Sequence, residues 1–223
     1  KINYTRETKI GSITSGVFYR RISDEISRVV FIDPNNPNRT ILSYDNFDNN
    51  DAFGFETSGN LKFTKWWSVN ASADVYFKTV KGTVQNGETG DFENAAVDVT
   101  NFNARLNNNF TATENLRFQL FGMYRGQDLS LQYTRKPMYK MDFGATYNVL
   151  KGKGTITARL NDVFENMRFA FDGDVPYRQY GAFYWESQTF YIGFNYMFGG
   201  GKNRALQRKQ RDANETQGGG GMF

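Results

Sequence analysis

From Thr189 to Phe198 the chain alternates with period two. Phe190, Ile192, Phe194, Tyr196 and Phe198 share one face, while Thr189, Gly193 and Asn195 fall on the other. A strand puts successive side chains on opposite sides, so this stretch is greasy on one face and mostly polar or small on the other. The greasy side needs either a second sheet, as in a soluble sandwich, or lipid.

The totals favour lipid. Aromatic residues make up 17% of the 223 residues, with 21 Phe and 13 Tyr, yet the mean hydropathy is −0.63. Soluble domains rarely join so many rings to so polar an average. A chain that turns half of each strand to hydrocarbon and half to water does so naturally. No apolar run approaches the roughly eighteen residues of a transmembrane helix.

Cysteine and histidine are both absent. Disulfides, thiolate metal sites, Ser-His-Asp and Cys-His nucleophiles and the usual zinc sets are therefore excluded within this chain. No enzyme activity, cofactor or metal is expected. Of the net +4, most belongs to the end: residues 199–223 hold Lys202, Arg204, Arg208, Lys209 and Arg211 against Asp212 and Glu215. The body before them is nearly neutral and carries no nucleic-acid footprint. Lys1 enters directly into strand-like sequence, which suggests a piece of a longer chain.

Alternation recurs along the body. Ile13, Ser15, Val17 and Tyr19 precede a polar stretch, 33–51, read as a long loop. Phe53, Phe55, Thr57, Gly59, Leu61 and Phe63 lead through a short turn at Thr64-Lys65 to Trp67, Val69, Ala71, Ala73, Val75 and Phe77. A second loop is expected over 82–93. Then come Thr100 to Phe110, a short turn at 111–115, Leu116 to Tyr124, a third loop around 127–137 and Tyr139 to Val149. After the turn Lys151-Gly152-Lys153-Gly154 the phase shifts between Ile156–Leu160 and Met167–Phe171, predicting a β-bulge near Asp162 to Asn166. A fourth loop, 172–181, precedes the last strand.

Nine strands thus alternate between short turns and long loops, and most are long enough to cross a bilayer at a tilt. The reading is an all-β, transmembrane antiparallel β-barrel with short periplasmic turns and long extracellular loops. Complete bacterial single-chain barrels have even strand numbers, so nine point to the C-terminal strands of a larger barrel. Glu56, Lys62, Asp74, Lys78, Arg105, Arg117, Arg125, Lys140, Asp142 and Arg159 fall on the inward side and suit a wide lumen.

Several segments resemble one family. They are Val17-Phe18-Tyr19-Arg20-Arg21, Thr64-Lys65-Trp66-Trp67-Ser68-Val69-Asn70, Met123-Tyr124-Arg125, Gly152-Lys153-Gly154-Thr155-Ile156-Thr157, Asn161-Asp162-Val163-Phe164 and Phe183-Tyr184-Trp185-Glu186-Ser187. Their ordered set is similar to the TonB-dependent receptors of Bacteroidetes type, in the outer-membrane β-barrel family. The run Phe190–Phe198 resembles the closing strand of such barrels. The resemblance implies a 22-stranded transporter in the outer membrane, with a plug domain and the TonB system as partners, importing a ligand too large for porins. The alternative function is a non-transporting scaffold subunit of an outer-membrane complex, partnered by a surface lipoprotein or other subunits. A weaker alternative is a small autonomous barrel.

Candidate sites follow from these readings. Arg105, Arg117, Arg125 and Asp142 are lumen-facing ligand candidates, and Tyr177 and Tyr180 are ring anchors beside the fourth loop. Tyr184 and Trp185 read as interfacial girdle, as do Trp66 and Trp67 at the periplasmic end. The acidic, amide-rich segment Asp45 to Asp51 lacks the glycine and terminal Glu of an EF-hand and reads as solvated loop. Glu56 and Asp74 read as lumen lining rather than as a glycosidase pair. Asp162 stands in an apolar phase, where a bare carboxylate is costly, and the predicted bulge turns it inward. Residues 199–223 form a periplasmic tail expected to dock on a partner or in the lumen through Arg204, Arg208, Arg211 and Phe223.

Overall fold

A computed structural model describes residues 1–198, side chains at 37, 38, 47 and 48 excepted. The strands are β1 (Ile2–Thr8), β2 (Gly11–Asp33), β3 (Asn36–Lys62), β4 (Trp67–Gln85), β5 (Phe92–Thr111) and β6 (Leu116–Arg125). The short β7 (Asp128–Leu129) and β8 (Thr134–Arg135) precede β9 (Met138–Val149), β10 (Gly154–Asn161), β11 (Arg168–Gly173), β12 (Gln179–Tyr184) and β13 (Thr189–Tyr196). Nine of them form one antiparallel sheet in the order β1-β2-β3-β4-β5-β6-β9-β10-β13, and the rest a small sheet, β12-β11-β8-β7. No described helix is long and apolar enough to cross a membrane.

The register carries the apolar face across the large sheet, with a shift in β2–β3 only at Ile32/Asp33, next to the hairpin tip. One row runs Val17, Phe55, Val75, Phe102. Another runs Leu116, Tyr147, Ile156, Phe194, and a third Leu120, Phe143, Leu160, Phe190. Because the side-chain period is two, a one-residue slip in any strand would turn its rings inward. Most of these rings are exposed, Phe190 at 70% and Phe194 at 59%, a pattern a water-soluble fold does not tolerate over nine strands. The closing-strand residues thus lie on β13 at one edge of the sheet, with Phe198 two residues past its end.

Short turns are built alike. The Thr64 hydroxyl accepts from the amides of Trp66 and Trp67 (3.3 and 3.0 Å), and that of Thr113 from Asn115 and Leu116 (3.3 and 3.0 Å). In the first turn Gly11 has φ +138°, and a Cβ there would lie 2.0 Å from the Asn60 carbonyl, so only glycine fits. Around the Thr64 turn the rings of Phe63, Trp66, Trp67 and Phe110 stack at 4.6–6.3 Å, and Trp67 Nε1 donates to Asn108 Oδ1 (3.2 Å). That amide, otherwise a polar group on the apolar face, is satisfied.

Two expectations are corrected. The stretch 33–51 is mostly strand and the second loop shrinks to 86–91: β2 and β3 remain paired up to Asp33–Asn36, and β4 and β5 up to Gln85–Phe92. Their Asn, Asp and Gly content mimics loop composition, but cross-strand pairing and burial override weak local preference. There is also no bulge within one strand near Asp162. β10 ends at Asn161, Asp162 (φ 44°) and Glu165 (φ 54°) turn the chain, and β11 joins the small sheet. The phase shift in sequence marks a change of sheet.

Candidate lumen-facing site

The inner face carries every polar residue that the alternation assigned to it. Arg105 lies opposite Ser72 and Met123, Arg117 opposite Thr111 and Thr146, Arg125 opposite Asn103, and Asp142 opposite Phe121. Here Asn103 Nδ2 donates to Asp74 Oδ2 (2.8 Å) and Gln119 Nε2 to Asn107 Oδ1 (2.9 Å). Lys140 bridges Asp142 at 3.0 Å and sits over the Phe121 ring, and Lys1 pairs with Glu56 at 2.5 Å. Arg105, Arg117 and Arg125 are exposed, and among the described residues none has a carboxylate within ion-pair distance. Their charge is available to whatever occupies the lumen.

Toward the short-turn end this face hollows into a trough of about 410 Å³, lined by Ser12, Thr14, Ser58, Asn60, Asn70, Ser72, Asn107, Phe121 and Arg105. Hydroxyl and amide groups and a single cation, Arg105, share its surface about evenly with apolar atoms. Its chemistry is hydrogen bonding. Among the described residues no cluster of three or more carboxylates is placed to hold a metal. Asp45 and its neighbours, read as loop, lie on β3 paired with β2.

Toward the long-hairpin end a small apolar core forms on the inner side. Val29, Val80, Val84 and Leu131 form a buried cluster, with Phe31, Ala95, Val97 and Val175 packed against it. On β2, odd-numbered residues face outward at Val17 and Tyr19 but enter this core at Val29 and Phe31, and Asp24 between them has φ 55°. The upper β2–β3 hairpin therefore folds over onto the inner side of β4–β5. Its exposed edge is capped by side chains: Gln132 Oε1 accepts from the Val30 amide and its Nε2 donates to the Val30 carbonyl, both at 2.8 Å. Gln85 Oε1 accepts from the Ile32 amide at 2.8 Å.

Lys78 pairs with Asp128, and Arg135, 7% exposed, donates to the Gly126 carbonyl (2.7 Å). Burial, then the charge of Arg125, lowers the Arg135 pKa, opposed by Asp128. Burial also raises that of Tyr133, as does Asp128. Tyr177 and Tyr180 belong to this extracellular layer, not to the lumen arginines' sheet; Tyr177 shares a 2.7 Å hydrogen bond with Thr40, and Tyr180 lies opposite Asp172 on β12, 81% exposed.

Asp162 is 1% exposed and fully engaged. Its carboxylate accepts from the amides of Asn166 (3.1 Å) and Met167 (2.9 Å) and from Ser187 Oγ (2.6 Å), and its own amide donates to Asp142 Oδ1 (2.8 Å). It clasps the turn between the two sheets. The sequence flagged Asp162 by its phase and Ser187 only within a segment of family resemblance, but Gln85 and Gln132 carried no signal. Their partners are up to 102 residues away. Arg204, Arg208, Arg211 and Phe223 lie outside the described residues.

A sheet that is apolar outside over its whole width, and hydroxyl, amide and charge inside, is a segment of a transmembrane β-barrel wall. The chain belongs to the outer membrane protein β-barrel family, whose model matches residues 1–196, and with that membership goes the outer membrane. Among solved structures, the open form of the ferric-catecholate import receptor Fiu from E. coli K12 is similar at 15% identity with a TM-score of 0.43. The match covers 89% of this chain and 38% of that one. No curated protein sequence matches.

Proposed function

We propose that this chain is part of the wall of a TonB-dependent outer-membrane receptor, taking up a ligand too large for porins, with a plug domain and the TonB system as its partners. The observation that carries the reading is the pair of unpaired edges on a two-faced sheet. Among the described residues β1 and β13 each pair on one side only. In hydrocarbon every unpaired backbone amide or carbonyl costs several kcal/mol, so further strands must cover both edges. A larger barrel encloses a wide lumen, and the free arginines and hydroxyl-amide trough offer the surface for a plug and a passing ligand.

The intact mass of the native protein in detergent extracts of the outer membrane tests the first half. A mass several times 25.6 kDa supports the receptor, and a mass near 25.6 kDa overturns it in favour of the scaffold subunit. For the second half, uptake by cells carrying the full-length protein should stop when an uncoupler collapses the proton-motive force. Uptake that continues would remove TonB coupling.

A further inference from the structure

The lipid-facing wall has a recess on β6. On β6, Gly122 lies directly between Leu106 of β5 and Met141 of β9, and a Cβ on it would meet nothing within 4 Å. The gap is a notch of about 330 Å³ whose surface is apolar, walled by Leu106, Tyr124, Tyr139, Met141 and Phe164. On either side along β6 the wall is closed by ring pairs, Phe102–Tyr124 at 6.0 Å and Phe118–Phe143 at 5.8 Å. The notch is therefore local, not a general thinness of packing.

Its outer wall is built. Phe164 belongs to no strand of the large sheet. It is presented by the turn that Asp162 clasps, with the Val163 amide donating to the Met141 carbonyl (2.8 Å) and Gln188 Nε2 to the Val163 carbonyl (3.1 Å). Four hydrogen bonds made by the Asp162 amide and carboxylate, two of them crossing to Asp142 and Ser187, hold that turn. A buried, fully bonded carboxylate at the end of an apolar strand thus has a consequence on the lipid side: it fixes a phenyl ring beside the recess.

We propose that this notch seats one acyl chain of an outer-leaflet lipid. Family membership puts the face in hydrocarbon, and the long-hairpin end, toward which the notch lies, is the extracellular one. Tyr124 and Tyr139 are directly opposed, an amphipathic pair of the kind that marks the headgroup level, so a chain entering beside them runs down past Gly122. Tyr124, Tyr139 and Phe164 stand out at 39%, 49% and 61% exposure and would hold a flat partner sheet away from the recess, whereas a single flexible chain threads between them. The inference needs the barrel and the membrane, not transport.

The test uses the full-length protein in phosphatidylethanolamine vesicles whose lipid carries a diazirine near the end of one acyl chain, with labelled residues mapped by peptide mass spectrometry. Label should concentrate on Leu106 and Met141 over the lipid-facing Ile192 and Phe194. Gly122→Leu, which fills the notch, should reduce it about tenfold, the effect of roughly ten carbon–carbon contacts of the chain being lost, with Ile192 and Phe194 unchanged. Phe164→Ala, which removes the outer side of the notch without touching a strand of the large sheet, should reduce it as well and decides the matter if Gly122→Leu fails to fold. Even labelling over the whole outer face, label insensitive to both substitutions, or a notch shielded by a second copy of the chain would each overturn the proposal.

Discussion

The membrane wall and the extracellular layer are made from the same strands with opposite polarity. β2 to β5 run through both. In the wall, Val17, Phe55, Val75 and Phe102 point away from the protein and Asn70, Ser72 and Arg105 point in. Above it, Val29, Val80, Val84 and Leu131 are buried among the strands themselves. What differs is the solvent. Lipid offers no gain for hiding apolar groups and a heavy penalty for unpaired polar ones, so the wall puts its hydrogen bonds inside. Water drives the apolar groups together as soon as the strands leave the bilayer. One hairpin answers both demands by changing face at Asp24.

The comparison can be broken region by region. Leu131→Ala should cost the extracellular layer about 2–5 kcal/mol, as for other buried leucines. Hydrogen exchange should accelerate at Val29, Val30 and Val84 while amides of β9 and β10 keep their protection; equal loss in both would mean that the two regions form one cooperative unit. Ala145→Arg, in the middle of the lipid-facing row between Phe118 and Ala158, should lose about 2–4 kcal/mol in urea unfolding from vesicles. Asn60→Lys on the trough side should stay within about 0.5 kcal/mol, and a similar cost at both sites would refute the assignment of faces.

Smaller effects sharpen the boundary. Gln132→Met keeps the shape but leaves the Val30 amide and carbonyl without partners, at about 1–3 kcal/mol, read as faster exchange at Val30 and protease cutting near the hairpin tip. Thr113→Val removes the hydroxyl that holds the turn between β5 and β6 and should cost about 0.5–1.5 kcal/mol in the same urea assay. Because that turn lies at the far end of the wall, exchange in the extracellular layer should not change. A change there would show that the regions are coupled through the strands.

What the sequence determined by itself is the wall. Period-two alternation needs only neighbours in the chain, and in lipid each strand's outward face is set by its own residues, so nine strands, both faces and the short turns at Thr64 and Thr113 were legible. Arg105, Arg117, Arg125 and Asp142 fell on the lumen face for the same reason. The tertiary structure alone decided the extracellular layer. Asn- and Asp-rich segments became paired strands because Val29, Val84 and Leu131 meet only after the hairpins fold together, and the predicted bulge became a change of sheet because Asp162 finds Ser187 and Asp142 far along the chain. Local periodicity carries information about a solvent that surrounds each strand separately. A core made by distant segments leaves no such periodic mark.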